Sequence, residues 1–257
     1  MTGRPLIGTS WKMNLTATEA TAYLRELVPM VDGLHDRDIF ILPPFTAIWV
    51  ARRELAGTSI GWGAQDVHEE EAGAHTGDVS AAMLVDLGCR YVEIGHSERR
   101  RGHAESDARI AGKVRAALRH DLTPILCVGE AKRFSLSVAR STVIRQLSRS
   151  LEGVPAADLD RVVVAYEPVW AIGVGARAAP LGHTAAMHAA LGAWLSAHGA
   201  RTQRVIYGGS IDTSNAASIL ALPEVDGLFV GRAALDPGTF GSIARTPIDG
   251  LRHEAKA

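Results

Sequence analysis

The chain has 257 residues, 47% of them hydrophobic, with 27 basic and 28 acidic side chains and a formal net charge of −1. That is enough apolar material for one large core, at a length near the roughly 250 residues of an eight-fold β/α barrel. The balanced charge excludes bulk attraction of nucleic acid or of an anionic membrane surface, so an anionic ligand has to be held by local donors.

In chain order, short apolar runs that end in small or polar residues occur at Leu6-Gly8, Ile39-Leu42, Ser59-Ala64, Tyr91-Ile94, Pro124-Val128, Val162-Tyr166, Val205-Tyr207 and Gly227-Val230. These eight candidate strands are short, and Val162-Tyr166 is β-branched as well, as expected of a parallel strand covered on both faces. Between them lie segments with helical spacing of apolar residues. The first runs from Thr16 to Met30 and opens with Thr16 and Glu19 in capping-box spacing. Others cover about 108–120, 141–151, 184–198 and 215–220. Strict alternation of strand and helix predicts a parallel sheet, and eight units predict a single TIM-barrel domain over 1–257, with a doubly wound open sheet as the alternative. No linker or low-complexity tract divides the chain. The polar stretch Gln65 to Asp78 is too long for a tight connection and reads as functional or interfacial.

The two cysteines, Cys89 and Cys127, are too few for a disulfide framework and lack metal-like spacing, which favours a reducing cytoplasm. The start, Met1-Thr2-Gly3-Arg4-Pro5, carries no apolar signal segment, and no run reaches membrane-spanning length. His68, His75, His103 and His183 likewise show no ligand spacing, so no metal is assigned.

The strand ends carry the chemistry. Lys12 follows the first strand, His96 and Glu98 the fourth, Glu130 the fifth and Glu167 the sixth. Gly208-Gly209-Ser210 follows the seventh and Gly231-Arg232 the eighth. In a barrel these points share one face, where active sites and phosphate sites lie. Lysine supplies a fixed charge, imidazole polarises a carbonyl, glutamate removes a carbon-bound proton, and backbone N–H groups cradle an anion. Together they describe proton abstraction beside a carbonyl in a phosphorylated substrate. Glu167 is followed at once by Pro168 and a glycine-rich loop with Trp170, which reads as a lid. Other readings stay open: Lys12 as a surface lysine or as the Schiff-base lysine of an aldolase, Glu98 and Arg99 as a structural ion pair, Glu130 as a structural residue, Arg232 as a solvated arginine.

The segments Trp11-Lys12-Met13-Asn14, Gly95-His96-Ser97-Glu98-Arg99-Arg100, Ala165-Tyr166-Glu167-Pro168-Val169-Trp170-Ala171-Ile172-Gly173 and Tyr207-Gly208-Gly209-Ser210 resemble the triosephosphate isomerase family, in the same order and at the same strand ends. The resemblance implies a sugar-phosphate isomerase that needs no cofactor. It makes Glu167 the base, His96 a neutral electrophile, Lys12 the stabiliser of an enediolate, and Pro168 to Ala178 the lid, with Trp170 and Tyr207 supporting it. It places Glu98 behind Lys12, and implies phosphate binding by N–H groups of Gly173, Ser210, Gly231 and Arg232. It also implies a homodimer in which the loop around Thr76, from Gly73 to Asp78, reaches the partner's site.

The chain departs from the family pattern at Ser10, where asparagine is usual, and at Gly231-Arg232, where two glycines are usual. Val174 and Ala176-Arg177-Ala178 also alter the lid. Ser10 with Arg232 resembles the branch acting on four-carbon ketose phosphates, the L-erythrulose-1-phosphate isomerases, because a shorter side chain leaves room for an extra hydroxymethyl group. The expected reaction is then L-erythrulose 1-phosphate to D-erythrulose 4-phosphate. The alternatives are the ordinary conversion of dihydroxyacetone phosphate to D-glyceraldehyde 3-phosphate and, from a different class, a non-catalytic phosphate-binding barrel.

Overall fold

A computed structural model describes residues 3–173 and 175–248. Eight strands alternate with helices: β1 (Leu6–Ser10), β2 (Asp38–Leu42), β3 (Gly61–Ala64), β4 (Tyr91–Ile94), β5 (Thr123–Val128), β6 (Val163–Tyr166), β7 (Arg204–Tyr207) and β8 (Gly227–Val230). All neighbours pair in parallel, and β8 returns to β1 through Leu6 opposite Gly227 and Thr9 opposite Val230, which closes the barrel. The open doubly wound sheet is thereby overturned.

Every predicted strand forms, with ends moved by at most two residues. Helix α1 (Ala17–Val31) starts where the capping box places it: Glu19 N–H donates to Thr16 Oγ1, and Thr16 N–H donates to the Glu19 carboxylate at 2.8 Å. Helices α5 (Asp107–Arg119), α7 (Leu181–Ala197) and α8 (Ala216–Leu220) match their predicted spans closely, whereas α6 (Leu136–Ser150) begins five residues earlier than predicted. Four helices had no prediction: α2 (Ile48–Leu55), α3 (Ala81–Asp86), α4 (Ser97–Gly102) and α9 (Pro237–Ala244). Each is eight residues or fewer, too short to show a periodicity. Helix α4 buries none of its residues and owes its start to the His96 side chain, which caps it.

Strand alternation sorts the core into two parts. Inward positions such as Leu6, Phe40, Leu42, Ile125, Cys127, Val163, Ala165, Ile206 and Phe229 fill the barrel. The opposite faces pack against the helices in a larger outer cluster. Following the same period of two up β1 and β6 brings Ser10 and Glu167 to the top of the interior, and on β4 it turns Glu93 inward beside Tyr91. The C-terminal strand ends therefore converge on one mouth. No helix among the described residues is long and apolar enough to cross a membrane.

Candidate active site

The mouth opens into a cleft of about 760 Å3 lined by Ser10, Lys12, Glu93, His96, Glu98, Glu167, Gly173, Ser210, Gly231 and Arg232, among others. Residues from β1, β4, β6, β7 and β8 thus meet in one place although they lie up to 222 positions apart in sequence.

Lys12 is held by its backbone. Its φ of +53° lies in the left-handed region, an uncommon and costly conformation for a residue with a Cβ. Gln65 Nε2 donates to Lys12 O at 3.0 Å and to Leu42 O at 2.9 Å, which ties the turn after β1 to the end of β2. Lys12 Nζ donates to Glu98 Oε1 at 2.7 Å, so the amine is directed by a carboxylate. Neither the surface-lysine reading nor the Schiff-base reading accounts for this paired, cleft-lining placement as simply as a fixed cation does.

His96 is buried at the end of β4, and its Nδ1 accepts a hydrogen bond from Glu98 N at 3.2 Å. An accepting Nδ1 in a neutral ring puts the proton on Nε2. Burial, reinforced by the Lys12 charge, lowers the imidazole pKa to about 4. At neutral pH the ring is therefore an uncharged Nε2–H donor, and that nitrogen lies 3.4 Å from Glu167 Oε2.

Glu167 follows β6 directly. Its N–H donates to Val128 O at 2.8 Å, which fixes its backbone across β5. Two glycines make room for it: a Cβ on Gly129 would sit 1.8 Å from the Glu167 carbonyl oxygen, and one on Gly208 would sit 2.7 Å from its Cγ. The residue is 4% exposed and Oε2 has no hydrogen-bond partner among the described residues. Burial first, and the Glu93 charge second, hold its pKa well above the ordinary carboxylate value, opposed in part by Lys12. A carboxylate this poorly solvated is a strong base once it loses its proton.

The lid is anchored at its base by Glu130. Both Glu130 carboxylate oxygens accept from Tyr166 Oη at 3.1 Å, and Oε1 accepts from Trp170 Nε1 at 2.7 Å. Glu130 is therefore a structural residue, as expected, with its support directed at the lid. At the lid's other end Ala179 N–H donates to Tyr207 Oη at 3.1 Å.

Ser210 is engaged by the lid. Its N–H and Oγ donate to Ala171 O at 3.1 and 2.8 Å, and Oγ lies 3.3 Å from Ala176 O. Lid carbonyls therefore lie over this residue in this arrangement. Gly173, Gly231 and Arg232 line the cleft with it, and Arg232 is exposed. Val174, placed above in the lid hinge, lies outside the described residues. We expect Tyr207→Phe, which removes the acceptor for Ala179, to lower kcat/KM by about 2- to 10-fold with little change in Tm. Steady-state kinetics beside a melting curve checks this, and unchanged kinetics would remove Tyr207 from lid closure.

Arg99 pairs with Asp66 at 2.6 Å and Glu105 at 2.7 Å, beside a buried Lys113 held by the same two acids. It is structural, as expected, but Glu98 is not its partner. The loop carrying Thr76 is exposed from Gly73 to Asp78. Folding brings His68, His75 and Asp78 together there, with ligand-type atoms within 4.8 Å, a grouping that sequence spacing did not display. Sequence reasoning also missed Glu93 and Gln65. An acid inside an otherwise apolar strand, two residues from an inward Tyr91, was the available signal for Glu93.

The model of the triosephosphate isomerase family matches residues 5–246. The chain belongs to the triosephosphate isomerase family. It is 44% identical to the triosephosphate isomerase of Symbiobacterium thermophilum over 243 residues, covering 93% of this chain and 95% of the relative. The corresponding enzyme of Chloroflexus aurantiacus is 45% identical over 92% of this chain and 96% of its own. The crystal structure of triosephosphate isomerase from Bartonella henselae superimposes with a TM-score of 0.80 at 33% identity, covering 95% of this chain and 98% of that one. The chain is accordingly an isomerase of sugar phosphates on a TIM barrel. Relatives named triosephosphate isomerase favour the three-carbon alternative and do not single out the four-carbon branch expected from Ser10 and Arg232.

Proposed function

We propose that this triosephosphate isomerase family member moves a carbonyl along a short ketose phosphate through an enediolate, using Glu167 as base, His96 Nε2–H as electrophile and Lys12 as fixed cation. The observation that carries this is the convergence of the three groups on one cleft, with the buried Glu167 Oε2 unpartnered and 3.4 Å from His96 Nε2. A neutral histidine opposite a glutamate base is the pairing for which triosephosphate isomerase is the standard example.

In this reading the phosphate lies toward Gly173, Gly231 and Arg232, and the substrate carbonyl oxygen faces Lys12 and His96. Glu167 takes a proton from the carbon beside the carbonyl. Charge develops on the oxygen, where Lys12 and the imidazole donor stabilise it in a water-poor site. The proton returns to the carbon that held the carbonyl, while the hydroxyl proton passes from the second oxygen to the first by way of His96 Nε2, so the net change is a shift of the carbonyl. A non-catalytic barrel has no evident use for these three roles together.

The names of the relatives support dihydroxyacetone phosphate and D-glyceraldehyde 3-phosphate as the reacting pair. A second reading, L-erythrulose 1-phosphate to D-erythrulose 4-phosphate, is supported by Ser10, which replaces a longer amide beside the reacting end and turns its hydroxyl to Glu93. Comparing kcat/KM for dihydroxyacetone phosphate and L-erythrulose 1-phosphate under identical conditions tests both readings. A strong preference for either ketose decides between them, and turnover of neither sinks the isomerase assignment for this class of substrate.

We further propose a homodimer of single-domain subunits working in the cytoplasm. Exposed Met13, Phe45, Trp49, Met83 and Val85 lie on segments following β1, β2 and β3, next to the Thr76 loop in barrel order, and a second copy would cover them. Cys89 and Cys127 are buried and free, as suits a reducing compartment.

A further inference from the structure

Glu93 is a buried acid that the chemistry above leaves without a role. It lies on β4, is 3% exposed, and lines the same cleft as Ser10, His96 and Glu167. Inward positions of such a barrel are ordinarily filled by branched apolar side chains, and burying a carboxyl there is costly without compensation. Burial pushes its pKa up to about 7, and the Ser10 hydrogen bond and the Lys12 charge oppose this only in part. Its hydrogen-bond partners among the described residues are Ser10, whose Oγ donates to Oε2 at 2.7 Å, and Cys127, whose Sγ lies 3.9 Å from Oε1. A thiol at that distance is a weak donor. Oε1 therefore retains accepting capacity, and a carboxylate oxygen of Glu93 lies within 4.8 Å of one of Glu167, the group that would remove the substrate proton.

The two unusual residues form one unit. An asparagine at position 10 would extend into the cleft, whereas Ser10 is short and spends its hydroxyl on Glu93. The result is space beside the reacting carbon with a carboxyl at its floor. Apolar side chains would serve equally well to fill a barrel. A carboxyl with one unsatisfied oxygen is suited to reading a hydroxyl.

We propose that Ser10 and Glu93 form a hydroxyl-binding subsite, in which the Glu93 carboxyl accepts a hydrogen bond from a hydroxymethyl group carried on the reacting carbon of a ketose 1-phosphate. This inference rests on the second reading above, a four-carbon ketose phosphate, and names the residue that selects it. The triose has no such group and leaves Glu93 with Cys127 alone at Oε1. A site built around a buried acceptor discriminates against the analogue that lacks the donor, far more strongly than a merely enlarged pocket does.

The test measures kcat/KM for L-erythrulose 1-phosphate and for dihydroxyacetone phosphate in the wild-type chain, Glu93→Leu and Glu93→Gln, with a melting curve for each. We expect the wild type to turn over the four-carbon substrate, and the ratio of four-carbon to three-carbon kcat/KM to fall by about 10- to 100-fold in Glu93→Leu. In Glu93→Gln, which keeps a neutral acceptor of the same size, the ratio falls by at least about threefold. Glutamine serves as the deciding variant should leucine fail to fold. Equal losses on both substrates, leaving the ratio unchanged, make Glu93 a structural residue and overturn the subsite while the isomerase reading stands. A wild-type enzyme that turns over the triose and not the tetrulose overturns the four-carbon reading and the subsite with it.

Discussion

Glu167→Asp is expected to lower kcat by about 10²-fold or more while the fold stays intact, because the carboxylate retreats by about one methylene from a carbon whose proton it must reach within hydrogen-bond distance. The backbone cannot follow it. Glu167 N–H is tied to Val128 O, and the adjacent Gly129 and Gly208 leave no slack between β5, β6 and β7. Stability should change little, since Glu167 Oε2 has no hydrogen bond to lose and the removed group is one buried methylene, worth about 1 kcal/mol. Steady-state turnover with a melting curve on the same preparation is the measurement. Near-normal kcat with an unchanged Tm would remove Glu167 from the role of base.

The second large effect concerns His96. His96→Gln should cut kcat by about 10²- to 10³-fold, the usual loss when one preorganised donor to a developing oxyanion is removed. KM should move much less, because Gly173, Gly231 and Arg232, proposed above to face the phosphate, line the cleft from other loops. Some stability is lost as well, on the order of 1 kcal/mol, because the imidazole caps α4 through Glu98 N–H. A pH profile separates the catalytic role from the structural one. The depressed pKa of about 4 means that His96 is already neutral throughout the neutral range. Its protonation therefore removes activity only as pH falls through about 4, and no ordinary histidine step near 6.5 should appear in the wild-type profile. Unchanged kinetics in His96→Gln, or a wild-type step near 6.5 that the variant abolishes, would overturn the neutral electrophile.

Much of this protein was legible before folding was considered. The eight strands from Leu6 to Val230 declared themselves by short apolar runs that end in small or polar residues, because strands buried on both faces need no polar alternation. Thr16 and Glu19 marked the start of α1, because a capping box is a local interaction over three residues. Lys12, His96 and Glu167 were found because each terminates a strand, and parallel topology sends all such ends to one face. The short helices α2, α3, α4 and α9 were missed, since their ends depend on caps and packing more than on a repeat. The contact of Ser210 with the lid was not legible, because its N–H partner, Ala171 O, lies 39 residues away.

By itself, then, the sequence determined the alternation of elements, the places of Lys12, His96 and Glu167 at strand ends, and the family, all of which rest on local periodicity and contiguous motifs. Tertiary structure alone decided that β8 closes on β1, that Arg99 answers Asp66 and Glu105 rather than Glu98, and that His68, His75 and Asp78 meet in one loop. It alone joined Ser10 to Glu93 across 83 residues at 2.7 Å. The reason is that these depend on which way a side chain faces once the barrel closes. Neither residue of that pair carries a local signal of the other, and only the shared interior brings a hydroxyl and a carboxyl within reach.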